Sequence, residues 1–297
     1  MSQRTARLQE AAAARGYTGL RAVGSGLEFS VYEARTDADA RVVLRTPSGD
    51  RFQSNANDPA VDTRALLQWE HAVTQHVAGY DIPVATARDL ILGDPDVLIS
   101  DYVPDDGTGF DPHALGRLLH RLHQLPPPPM APYAADGLPV EQLLPVRITR
   151  RWRELGAIVT DLPPVPDRAR MVSTLSASAG SSLVHLDVRL PNLRCVGRKI
   201  AALLDWSNAL VGDPALEFGR LAEFARLPEN GIDLPAVLAG YGRSVESDSA
   251  AMWLYRLDAA VMLALVFTSE APDAENGRHA IDRLHEVRER LLGRWDE

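Results

Sequence analysis

The chain has 297 residues, enough for a large core arranged as two lobes, and its 45% hydrophobic and 24% charged residues are the balance of a soluble globular protein. A net charge of −9 disfavours nucleic acid as a partner and is compatible with a cationic acceptor. Its one cysteine, Cys195, excludes an intramolecular disulfide framework and a Cys-rich zinc site. The longest apolar run, Ala259–Phe267, is far below the ~20 residues of a spanning helix, and no apolar segment follows Arg4, Arg7 and Arg15 as a secretory signal requires. A cytoplasmic protein without a membrane partner is expected.

In chain order, Thr5–Arg15 reads as a helix stopped by Gly16. Three strand-like segments follow, Gly19–Val23, Phe29–Arg35 and Arg41–Arg45. Between the first two, Gly24-Ser25-Gly26 places a Gly-x-Gly turn ahead of Val31, as in a loop whose backbone amides approach nucleotide phosphates. A plain two-glycine hairpin turn would carry the same letters. The third strand ends in Arg45, where the kinase pattern has a Lys that holds the α/β-phosphates and pairs with a Glu of the next helix. A guanidinium suffices chemically, being permanently charged and forked. Its expected partner is Glu70, in a helix over Asp62–Val77 capped by Asp62.

Arg51–Pro59 reads as a polar loop, and Val84–Leu92 and Val97–Ser100 as the last of five strands, joined by Gly93-Asp94-Pro95-Asp96. Asp111–Gln124 is a marked helix, with Asp111 as cap, Pro112 in its first position and a stripe of Leu115, Leu118, Leu119 and Leu122. His120 and His123 have a metal-pair spacing but lack a third ligand, so they read as ordinary core or surface residues. The proline run within Leu125–Pro132 is a stiff loop, not a domain boundary. Val140–Ile158 and Asp167–Ala179 are predicted helices on the acceptor side, and Asp248–Thr268 and Ala274–Leu292 close the chain. Trp253, Tyr255, Asp258, Glu270 and Asp273 are candidates for an acceptor pocket, with core packing the favoured role of the two aromatics.

The chemistry concentrates in Leu183–Asn192. His185, Asp187 and Asn192 have the spacing H-x-D-x-x-x-x-N, and the apolar run Ile200–Leu204 then ends at Asp205. Phosphoryl transfer to a hydroxyl needs a carboxylate to take the proton, which points to Asp187. It also needs hard oxygen ligands for Mg²⁺, which Asn192 and Asp205 supply. A turn at Val196-Gly197-Arg198-Lys199 between short strands would bring the three groups to one mouth. Arg189, just after the base, is positioned to meet charge on the moving phosphate, and His185 reads as a brace for the loop.

His185-Leu186-Asp187 with Asn192, then Leu204-Asp205-Trp206 and Gly212-Asp213-Pro214, resemble the aminoglycoside phosphotransferase and choline kinase-like family. Val43-Leu44-Arg45-Thr46-Pro47 is also similar to macrolide phosphotransferase wording. The resemblance implies an α+β, bilobal protein-kinase-like fold. Residues 1–103 would form a nucleotide-binding lobe with a five-stranded antiparallel sheet and one main helix, and residues 104–297 a mostly helical catalytic and acceptor-binding lobe. It further implies ATP or GTP as donor, Mg²⁺, a base held by backbone near Asp101 and Val103, and O-phosphorylation of an antibiotic. A metabolic kinase of an amino alcohol or sugar is the second reading. The third is a nucleotide-binding pseudokinase, prompted by Arg45, by Leu186 where the family usually has Gly, and by Arg189-Leu190-Pro191 in place of His-Pro-Gly. Glu217 stands where the family often has Asp; it and Asp213 are expected to be structural. The sequence carries no signal for oligomeric state.

Overall fold

A computed structural model of the protein describes residues 3–178 and 180–297. In chain order its elements are α1 (Gln3–Ala13), β1 (Thr18–Ser25), β2 (Phe29–Arg35), β3 (Arg41–Pro47), β4 (Phe52–Gln53), β5 (Val61–Asp62), α2 (Thr63–Ala78), β6 (Ala87–Ile91) and β7 (Val97–Asp101). Next come α3 (Pro112–Leu122), α4 (Val140–Gly156), α5 (Arg168–Ser176), β8 (Ser182–Val184), β9 (Leu193–Val196), β10 (Lys199–Leu203) and β11 (Leu210–Gly212). The chain ends with α6 (Ala215–Phe224), α7 (Leu234–Tyr241), α8 (Ala250–Leu265) and α9 (Ala274–Asp296). Ala179, the expected end of the Asp167 helix, lies outside the described residues.

The chain forms two compact units. The first runs to Ser54, resumes over Ala60–Gly109 and includes Leu193–Ser207; the second holds Asn55–Pro59, Phe110–Asn192 and Asn208–Glu297. Leu193–Ser207 joins the first because β10 is tied there: Val84 and Leu203 form a parallel bridge and Leu203 N donates to Pro83 O at 2.8 Å.

In the first unit the strands run antiparallel in the order β1-β2-β3-β7-β6, the five-stranded sheet expected. Alternation along β3 sends Val42 and Leu44 into a core with Leu8, Ala12, Ala34, Val97 and Ile99. Arg45 therefore points to the opposite face. The α2 helix starts as predicted, with the Asp62 carboxylate accepting from Arg64 N and Ala65 N. The Arg51–Pro59 stretch is more structured than a polar loop: Phe52 and Gln53 pair with Asp62 and Val61.

The second unit is mostly helical, around a core shared by α4, α5, α8 and α9. Two close approaches shape it. A side chain at Gly116 of α3 would meet Val237 O at 2.1 Å, and one at Gly219 of α6 would meet Tyr255 Cβ of α8 at 2.5 Å, so glycine lets each helix pair touch backbone to neighbour. Helix α7 was not anticipated. Together with the π turn Val266–Glu270, α8 is also long and apolar enough by composition to cross a membrane, but 67% of that window is buried inside the fold. Counting only unbroken apolar runs misses it, because Arg256 and Asp258 interrupt the sequence.

Candidate functional site

In the first unit, cross-strand register carries the nucleotide-side candidates. Gly24 pairs with Val31, and Val31 with Arg45, so the glycine turn and the cation lie on one row across three strands. Neither Gly24 nor Gly26 adopts positive φ, and a side chain at Gly24 would meet nothing within 4 Å. A hairpin-turn requirement therefore does not explain these glycines; they, with exposed Ser25, leave the surface above the turn open to close approach.

Arg45 meets Glu70 of α2 through Nη1 and donates from Nη2 to Asp205 Oδ1 at 3.1 Å, while Ser207 Oγ donates to the same oxygen at 2.7 Å. The guanidinium also lies over the Phe29 ring, 4.4 Å from its centre. Burial opposes charge on Arg45, but Asp205 and Glu70 outweigh it and raise its pKa. Burial pushes the Glu70 carboxyl up to about 7, against the pull of Arg45 and with Asp205 adding to the rise. Asp205 follows β10 in the left-handed region (φ 61°), which Asp tolerates better than branched residues. Trp69 Nε1 donates to Trp206 O at 3.0 Å, fixing α2 to the Asp205 segment. The β9–β10 turn is as expected, Gly197 and Arg198 both having the positive φ of a tight hairpin. Asp101 ends β7, with its N–H on Thr86 O and its carboxylate on Arg88; Val103 follows it, half-buried.

In the second unit the loop after β8 gathers Asp187, Arg189 and Asn192. Asn192 Nδ2 donates to Asp187 Oδ2 at 2.7 Å and to Asp187 O at 2.9 Å, and Arg189 Nε donates to Asp187 Oδ1 at 3.0 Å. Arg189 thus grips the proposed base in this state. Asp187 N donates to His185 Nδ1 at 3.1 Å, which makes His185 the brace expected. Glu217, wholly buried on α6, accepts from His185 N at 2.6 Å and Leu186 N at 3.0 Å. Burial would raise its carboxyl, but His123, whose Nε2 is 3.8 Å away, His185 and the loop amide hold it below the usual range. Leu186 has φ 64°, which explains the family's usual Gly. Here the cost of a left-handed backbone, about 1–2 kcal/mol, is offset by burying the Leu186 side chain, about 1.5–3 kcal/mol.

Three expectations are corrected. Asp258 is fully buried among Arg147, Arg151 and Arg220. Glu270 accepts from the N–H and the side-chain amide of Asn57, and Asp273 caps α9. These acids are spent on structure rather than offered to an acceptor. Trp253 and Tyr255 are core as favoured, Tyr255 OH donating to Asp213 Oδ2 at 3.1 Å. His120 Nδ1 donates to Tyr241 O at 2.8 Å and His123 Nδ1 lies 3.0 Å from Tyr241 Oη, so both serve α7. Cys195 is buried. Among the described residues no His, Cys, Asp and Glu set forms a metal-holding cluster of three or more.

The bond from Glu217 to the loop and the arginines around Asp258 escaped sequence reading. A signal existed for the second: Arg147 and Arg151 fall on the apolar stripe of α4 with Leu144, Ile148 and Leu155, where aliphatic residues belong.

The family model described as the phosphotransferase enzyme family matches residues 19–255. Among solved structures, similarity extends to the aminoglycoside phosphotransferase APH(2'')-Ib with ADP bound, at 14% identity, covering 98% of this chain and 99% of that one (TM-score 0.65). It extends also to the macrolide 2'-phosphotransferase MphH from Brachybacterium faecium, at 20% identity over 95% and 98% of the two chains (TM-score 0.56). A choline/ethanolamine kinase family protein from Mesorhizobium loti is 16% identical over 98% and 99% (TM-score 0.57). At these identities they establish the fold. A search of the curated proteins found no match.

Proposed function

The chain belongs to the phosphotransferase enzyme family, and on that premise we propose that it transfers the γ-phosphoryl group of ATP or GTP to a hydroxyl of a small molecule. One observation carries the reading: a single loop holds the Asp187 carboxylate between Arg189 and Asn192, with Glu217 fixing the loop's backbone from behind. Asp187 takes the acceptor's proton or orients its hydroxyl. Arg189, 38% exposed at its side chain, exchanges its hold on Asp187 for charge on the phosphoryl group as that charge develops. Arg45, steadied by Glu70, grips the α/β-phosphates beneath Gly24, Ser25 and Gly26, and backbone near Asp101 and Val103 takes the base.

The donor chemistry fits Mg²⁺. Asn192 commits its Nδ2 to Asp187, which leaves an amide oxygen to offer, and Asp205 brings a carboxylate. When bound, the ion would neutralise charge on the nucleotide phosphates. Asn192 and Asp205 are its proposed ligands. A cytoplasmic enzyme, with no role on nucleic acid or in a membrane, completes the proposal.

Antibiotic modification is the acceptor reading that the family suggests. The engagement of Asp258, Glu270 and Asp273 within the fold favours the sugar arm of the second, a metabolic kinase, because it engages three acids that a cationic acceptor would seek. A Mg²⁺-dependent transfer screen with ATP and GTP, against antibiotics and small hydroxylated metabolites, tests both, with Asp187→Asn and Asp205→Ala as controls. Transfer abolished in both controls supports the assignment, and protection of a sensitive host separates antibiotic from metabolite. Nucleotide binding with no transfer to any acceptor would instead favour a pseudokinase. Unchanged turnover in Arg189→Ala would remove its transition-state role.

A further inference from the structure

Within the second unit, α4 and α6 bring three arginines to one carboxylate on α8. Arg147 grips Asp258 in a fork, Nε to Oδ1 at 2.8 Å and Nη2 to Oδ2 at 2.6 Å. Arg151 Nη1 adds a bond to Oδ1 at 3.0 Å, and Arg220 Nη2 one to Oδ2 at 3.3 Å. A carboxylate offers about four lone-pair sites, and all are used. The Nε groups of Arg151 and Arg220 are left buried without an acceptor. Asp258 bonds all three arginines, while Asp187 and Glu217 favour charge on Arg220 without a bond to its Nε, and Glu223 is held by Arg256 and Arg283. A purely structural cluster would be expected to satisfy each buried donor, because a donor left without an acceptor is costly.

The cluster's place explains the unmet donors. Glu217 and Arg220 are three residues apart on α6 and so lie on one face, about 5–6 Å apart between Cβ atoms. Glu217 reaches the loop of Asp187, and Arg220 reaches Asp258. Gly219, between them, permits the close approach of α6 to α8. The arginine cluster therefore sits one helical turn from the backbone that carries the base. Asp258 is wholly enclosed, whereas Arg147, Arg151 and Arg220 keep 8, 7 and 5% exposure.

We propose that Arg147, Arg151 and Arg220 form the anion-recognising end of the acceptor site, and that the acceptor is an alcohol bearing a carboxylate or phosphate group. The oxyanion supplies the acceptor atoms that Asp258 cannot, and places the hydroxyl toward Asp187. This rests on the phosphotransferase reading and narrows it to anionic rather than cationic alcohols.

The test uses the full chain loaded with Mg²⁺ and ADP, at constant ionic strength set with chloride. Inorganic phosphate and glycolate are titrated in separate arms by calorimetry and thermal shift, with glycolamide as the uncharged control. Saturable binding of either anion, none of glycolamide, and loss of about tenfold or more in anion affinity in Arg151→Gln are expected, as for removal of one charge-assisted bond. The stronger arm distinguishes phosphate from carboxylate. Arg151→Gln relieves repulsion among three like charges and should fold; an acceptor screen on the unmodified protein needs no variant and expects higher kcat/KM for anionic alcohols than for their neutral or cationic counterparts. Absence of saturable anion binding, equal affinity in Arg151→Gln, or preference for neutral or cationic alcohols would overturn the proposal. Failure to bind ADP strikes the phosphotransferase reading instead, and the same titration on nucleotide-free protein then decides the cluster.

Discussion

Replacing Glu217 by Gln tests whether this buried side chain positions the loop of Asp187. The substitution keeps shape and one acceptor oxygen, but turns an NH₂ toward one of the two loop amides, His185 N or Leu186 N, now at 2.6 and 3.0 Å from carboxylate oxygens. A hydrogen bond to a charged group contributes about 1.5–3 kcal/mol, and a buried donor left without an acceptor costs about 1–3 kcal/mol. Relief of the buried charge offsets part of this, leaving a loss of roughly 2–3 kcal/mol. For a chain of this size that lowers Tm by roughly 3–5 °C. Glu217→Asp keeps the charge but is too short to span both amides, and should fall between Gln and the parent. Thermal denaturation alongside the transfer rate is the assay, and both should fall together because the same amides set the loop. A Glu217→Gln protein with unchanged Tm and unchanged rate would refute the positioning role.

Three further predictions concern single residues. Asp187→Asn should lower the transfer rate by about 10²–10⁴ while ADP affinity, read by calorimetry, stays close to that of the parent; a matching fall in ADP affinity would mean that Asp187 is not the base. Arg45→Lys retains the charge but cannot reach both Glu70 and Asp205, so nucleotide affinity should drop roughly 10–150-fold, the value of one charged hydrogen bond; equal affinity would show that the fork is not used. Burial alone would raise the Asp258 carboxyl, but Arg147, Arg151 and Arg220 hold it well below the usual carboxylate range. Its stabilisation is therefore complete above its unfolded value, about pH 3.9, and is lost only as pH falls through the lower folded value. Asp258→Asn should cost about 3–5 kcal/mol at neutral pH, with the gap to the parent closing only in strong acid; a gap that closes between pH 7 and 5 would contradict this.

Much of the protein was written locally. Strand-like runs between turn signals marked the strands of the sheet, Asp62 and Asp111 marked helix starts through their carboxylates, and the spacing of His185, Asp187 and Asn192 placed base and amide on one loop. Each depends on neighbours within a few residues, which is the range over which sequence pattern and backbone geometry are coupled. Arg45 with Glu70 was also legible, but only because a known arrangement supplied a pairing 25 residues apart. The partners of Asp258 were not legible. As a letter it is one more acid in a C-terminal helix, and it became the centre of an arginine cluster only when α4 and α6 packed against α8. Glu217 likewise gained its role from a loop 31 and 32 residues earlier. Charge is local in sequence, but its meaning depends on which charges lie within a few ångströms in a dry interior. Tertiary packing alone decided that, and with it where the acids were spent.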